Sequence, residues 1–257
     1  MKTHRMITIA RYTLLEAARA RLAVAGLVLL LLIVAASLFV QSLAVTESAR
    51  LQAGFLAASL RLATVCVMAL HVCATIAREW SDKGLESVLA LDLDRTTYVL
   101  GKFGGFVLIG AAVAAVAGMP LAWAAGIEPA AAWTLSLVAE LAIVVAGALF
   151  AIMAFGHVMP AVGFALGLYL LARTVAAMKL MTSGAVFGRS GAFDAFVDSA
   201  VELLGLLLPR LDTFTQAAWL VDGVPAWPGL PLIALQSVLY CGLLLAATLI
   251  DFHRKEF

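Results

Sequence analysis

The chain has 257 residues, of which 64% are apolar and 13% charged, with a formal net charge of +1. Soluble domains carry about 25% charged residues, so this composition excludes an ordinary soluble enzyme. The balanced charge gives no support to nucleic-acid binding. The length leaves room for several membrane spans and no large soluble domain. It reads as one all-α polytopic membrane domain over 1–257.

Residues 1–21 are basic and amphipathic. Ile7, Leu14, Leu15 and Ala18 share a face, and Arg11, Arg19 and Arg21 fall largely elsewhere. That pattern predicts a helix lying in the membrane interface; a plain basic tail is the simpler alternative. The first span is expected at 22–43, long enough to cross about 30 Å of hydrocarbon. Its apolar run is too long for a signal-peptide core, so no cleaved leader is expected. A second span is expected at 53–77 and a third at 98–124. Gly101, Gly104, Gly105 and Gly110 cluster early in the third and allow close approach of another helix. Glu128-Pro129 is read as the next turn. Spans follow at 133–155 and 158–181, joined by a short turn at Gly156-His157, with Pro160 tolerated in a first helical turn.

Residues 182–229 differ. Glycine and proline punctuate them around two amphipathic pieces, 193–208 and 212–221, the first interrupted by Asp194, Asp198 and Glu202. They fit short helices lying at the membrane surface or partly re-entrant. A sixth span is expected at 231–250. Placing the N-terminus inside puts eleven of the seventeen Lys and Arg residues on the inner side, as basic loops require. Both termini are then cytoplasmic, and 182–229 lies outside.

Between the second and third spans, Arg78–Lys102 carries nine charges: Arg78, Glu79, Asp82, Lys83, Glu86, Asp92, Asp94, Arg95 and Lys102. Such a segment belongs in water or against a wet protein surface. Trp80, Leu85, Val88, Leu89 and Leu91 recur at spacings near three and four, which predicts a short amphipathic helix. Asp92–Arg95 reads as a turn. A solvated loop helix with no partner is the bland reading.

The positions Glu79, Gly84, Leu85, Glu86, Leu89, Ala90, Leu91, Arg95, Tyr98, Gly101 and Lys102 resemble the first cytoplasmic loop of ABC-2 type transporter permeases. The ending Asp251-Phe-His-Arg-Lys-Glu-Phe257 and the stretch 207–214 also resemble that family. The likeness extends over the whole chain and is greatest to the subgroup associated with multicopper-enzyme maturation. The chain departs in lacking a proline near Asp92 and Leu93. The resemblance implies that 1–21 is the family's interfacial connecting helix and 78–97 its coupling loop. It also implies a bacterial inner-membrane location, a second permease copy and a separate cytoplasmic ABC ATPase that holds ATP and magnesium. Trp80, Leu85 and Leu89 would seat in a groove of that ATPase, with Glu79, Asp82, Lys83 and Glu86 at the rim.

No catalytic constellation is legible. G-x-x-x-x-G-K-[ST] is missing, since Thr96 and Phe103 stand where the glycine and the hydroxyl should be. H-E-x-x-H and G-x-S-x-G do not occur. Cys66, Met68, His71 and Cys73 invite a copper site, but His71 is about 140° round a helix from Cys66. They read as core, and no cofactor or metal is expected on this chain. Arg61, Glu140 and Arg173 are the ionisable residues deep inside predicted spans. Glu140 and Arg173 are symmetric about the Gly156-His157 turn and should sit at one depth. Isolated charges there are expensive, so pairing is expected. The cluster would either lock helices together or line the outer part of a pathway. Few charges in the spans favour lipidic or amphipathic cargo over small ions. The alternatives to an exporter subunit are a stand-alone channel or scaffold for envelope assembly and, last, an intramembrane enzyme.

Overall fold

A computed structural model describes residues 2–43, 48–81, 94–182, 192–223 and 229–254. The helices are α1 (Lys2–Arg19), α2 (Arg21–Leu43), α3 (Ser48–Ser81), α4 (Arg95–Ala125), α5 (Ile127–Phe155), α6 (Val158–Thr182), α7 (Ala192–Leu207), α8 (Trp219–Asp222) and α9 (Gly229–Arg254), with a 3-10 turn at Leu211–Thr213. Among the described residues there is no strand. Six helices, α2 to α6 and α9, are long and apolar enough to cross a membrane.

Several helices outrun their apolar windows. The second span becomes a 34-residue helix, about 50 Å long at 1.5 Å per residue. Its polar ends, Ser48-Ala49-Arg50 and Arg78–Ser81, continue the helix because nothing there breaks it. The turn expected at Glu128-Pro129 falls instead at Gly126, whose φ of 98° suits glycine. Pro129 is absorbed into the first turn of α5, where a missing N–H is harmless. The turn at Gly156 is as expected: φ is 71°, and its N–H donates to the Ile152 carbonyl at 2.9 Å.

Helix α5 is the hub. Its apolar residues are spread round the whole helix, as in a central helix, and 72% of its span is buried. It packs against α3, α4, α6, α8 and α9. Helix α2 is the opposite case, packed chiefly on α3 with 6% of its span buried. Helix α1 docks on α4 because Gly101 and Gly105 offer no side chain. A Cβ on Gly105 would lie 2.8 Å from the Thr13 Cβ and 3.2 Å from the Ala10 Cα.

The ends of α3 and α9 and the start of α4 meet the Gly156 turn at one end of the bundle. Trp80 lies against Gly156, and Tyr98 stacks on Phe252 at 6.3 Å between ring centroids. We call this the N-terminal face. Gly126 and the strap at 209–222 belong to the opposite half.

Candidate functional site

Three helices and the strap converge on one residue, Thr215. Helix α3 brings Arg61. Helix α5 brings Ser136 and Glu140, one turn apart, and α6 brings Tyr169 and Arg173 at the same spacing, so each pair shares a helix face. Glu140 Oε1 accepts hydrogen bonds from the Tyr169 hydroxyl at 2.8 Å and from Arg173 Nη1 at 3.3 Å. Its Oε2 accepts from the Thr215 hydroxyl. Arg173 Nη1 also donates to the carbonyls of Leu211 at 2.5 Å and Phe214 at 3.0 Å. Arg61 Nη1 donates to the Thr215 carbonyl at 3.1 Å. The Thr215 N–H donates to Ser136 Oγ at 3.0 Å.

Backbone chemistry explains these contacts. The strap around 214–216 is not helical, and Phe214 and Thr215 are fully buried. Thr215 has φ of 44°, the only positive value at a non-glycine among the described residues. Irregular backbone inside a membrane protein must have its polar groups satisfied by protein. The charged side chains do this: arginines take the carbonyls, and serine takes the amide. Glu140 in turn neutralises part of the arginine charge.

Of the expected charges, Glu140 and Arg173 do meet, as an ion pair at 3.3 Å. Arg61 joins through the Thr215 carbonyl. Glu140 is 0% exposed, so within one chain it faces the strap and not an open lumen. The sequence reading places none of Ser136, Tyr169 and Thr215 in this cluster. The fourfold spacings Ser136–Glu140 and Tyr169–Arg173 could have pointed to the first two; nothing local points to Thr215.

A second polar group lies at the N-terminal face. Glu79 Oε2 accepts from the Tyr98 hydroxyl at 2.6 Å, and Oε1 pairs with Lys102. Tyr98 and Lys102 stand one turn apart on α4. Arg95 Nη1 donates to the Phe252 carbonyl at 2.6 Å and lies over that ring at 5.4 Å from its centroid. Glu16 on α1 is near enough to feel the charges of Lys102, Glu79 and Arg78. Burial raises its carboxyl above the usual value, and Lys102 opposes that. Glu79, expected at the rim of a docking groove, and Trp80, expected to seat in that groove, are thus engaged within the chain: Glu79 by its two partners, Trp80 against Gly156. Leu85, Glu86 and Leu89 lie outside the described residues.

Among the described residues no group of three or more His, Cys, Asp or Glu side chains could hold a metal. The three cysteines are free. The fold and its sites define a multi-pass helical membrane protein whose inner polar cluster clasps a non-helical strap. Neither a comparison with protein-family models nor a search of curated proteins returns a match.

Proposed function

We propose that this chain is the membrane-spanning subunit of an ABC-2 type exporter. It works as a dimer with a separate cytoplasmic ATPase, in a bacterial inner membrane, with both termini in the cytoplasm. The observation that carries this reading is the clasp at the N-terminal face. Glu79 near the end of α3 holds Tyr98 and Lys102 on α4, so residues 82–93 spring from two tied helices. A machine driven by a remote motor needs a stiff base where the stroke enters. Helix α1, docked on α4, is the interfacial connecting helix in this scheme. Residues 78–97 are the coupling loop, with Leu85 and Leu89 as apolar anchors and Glu86 at the rim. Glu79 and Trp80 act as the loop's footing. The strap is re-entrant from the outer side.

One observation favours a stand-alone scaffold or channel for envelope assembly. The polar cluster is sealed by the strap within a single chain, so it opens no polar route by itself. The two readings separate on partners. Affinity purification of the tagged chain from its native membrane should recover an ATPase carrying G-x-x-x-x-G-K-[ST]. A Leu85→Asp, Leu89→Asp double variant that still inserts should lose it. Recovery without any ATPase, or retention by the double variant, overturns the proposal.

A further inference from the structure

A continuous apolar groove runs down the outside of the bundle where α2 leaves α4 uncovered. One lobe, of about 290 Å³, is walled by Gly26, Leu30, Ala63 and Val116. The next, of about 220 Å³, is walled by Leu14, Ala17, Leu22 and His71. The lobes share Val67, Ala112 and Val113. Gly26 opens the upper lobe, since a Cβ there would lie 3.2 Å from Val67 Cγ1. The groove sits between helices apolar enough to span a membrane, so hydrocarbon and not water fills it.

Helices α1 and α2 meet beside the lower lobe, between the wall residues Ala17 and Leu22. Arg19 and Arg21 flank the wall residues Ala17 and Leu22; both are exposed, and neither pairs with an acid among the described residues. His71 borders the same lobe and is 6% exposed. Its Nε2 is buried with no hydrogen-bond partner. An apolar slot, a polar group on its wall and two exposed cations where α1 meets α2 follow the layout of a phospholipid: chain, ester, phosphate. A second copy fits less well. A parallel twofold dimer keeps every residue at its own depth, so a copy seated here would bring a layer of arginines to the level of these arginines.

We propose that this groove binds one anionic phospholipid. An acyl chain lies along Leu30, Val67, Val113 and Val116, the ester region lies at the level of His71, and the phosphate lies at Arg19 and Arg21. The site does not depend on an ATPase partner, and the test contains none.

The full chain is equilibrated with vesicles of phosphatidylcholine and phosphatidylglycerol, extracted, and weighed by native mass spectrometry. One phosphatidylglycerol per chain should remain, favoured about tenfold over phosphatidylcholine, as two basic residues at an anionic surface allow. Ala112→Phe, at an exposed position on the groove wall, should abolish retention. Ala115→Phe, exposed but outside the groove, should leave it intact. Arg19→Gln with Arg21→Gln should keep a lipid but lose the preference to within about twofold. Added inorganic phosphate should displace nothing. Retention by Ala112→Phe equal to wild type, an undiminished preference in the double arginine variant, or displacement by phosphate overturns the proposal. So does a lipid-free dimer that cross-links through a cysteine placed at Val116.

Discussion

Arg173 serves two kinds of acceptor at once, the Glu140 carboxylate and the carbonyls of Leu211 and Phe214. This decides what a charge swap does. If the pair were a simple lock, Glu140→Arg with Arg173→Glu would restore it. A glutamate at 173, however, cannot donate to carbonyls, and it would face them with like charge. The double variant should therefore remain as unstable as Glu140→Arg alone in thermal unfolding; recovery to wild-type stability contradicts the assignment. Removing one partner should be severe. Arg173→Leu leaves Glu140 buried and unpaired, at a loss of about 3–5 kcal/mol. Thr215→Val keeps the shape and removes the hydroxyl between Glu140 and Arg173, at a loss of about 1–3 kcal/mol. Glu16 gives a pH test at the other end. Its raised value means that the charged form opposes docking, so stability is lost as pH rises through its folded value. Glu16→Gln should raise the melting point at neutral pH, and the gain should vanish below the ordinary carboxylate value of 4.5. An equal gain at both pH values would show that charge is not the cause.

The docking of α1 depends on two glycines one turn apart and on nothing comparable around them. Gly104 adjoins Gly105, yet a Cβ on it would meet nothing within 4 Å. Gly104→Ala should therefore be silent. Gly105→Ala forces its new carbon against Thr13 and the backbone of Ala10; overpacking of this kind costs about 1–3 kcal/mol. Limited proteolysis of the first twenty residues reads the difference: only the Gly105 variant should release α1. If both variants behave alike, the helix is held by something other than this contact. The same reasoning explains why the early glycines of the third span were legible as an approach site while their partner was not. Spacing marks a smooth face, but a neighbour is chosen by which helix reaches it.

For the whole molecule, α1 and the end of α9 lie at the face where α3 ends and α4 begins, and α6 runs from that face toward the opposite half. In a chain stripped of Cys66, Cys73 and Cys241, a cysteine at Thr3 and one at Lys83 should react with an impermeant maleimide from the same side. One at Ser190 should react only from the opposite side. Labelling of Lys83 and Ser190 from a common side would overturn the arrangement. The poor burial of α2 beside the well-covered α5 also belongs to this scale. A helix apolar all round can be central or lipid-facing, and its own sequence does not choose.

The sequence by itself determined the number of apolar helices and where their apolar windows lie, because hydrocarbon demands long unbroken apolar runs; charges end those windows, while the helices run on where nothing breaks them. It also placed Glu140 and Arg173 at one depth, since a tight turn at Gly156 makes depth a matter of counting. Tertiary structure alone decided what those charges are for. Thr215 lies far from Arg61, Ser136 and Glu140 in the chain, and its backbone becomes costly only once it is buried among them. No local pattern of residues 209–216 announces that burial; it follows from the space left between α3, α5 and α6. The groove beside α2 is of the same kind, a gap set by where α1 turns into α2 and visible only when the helices are packed.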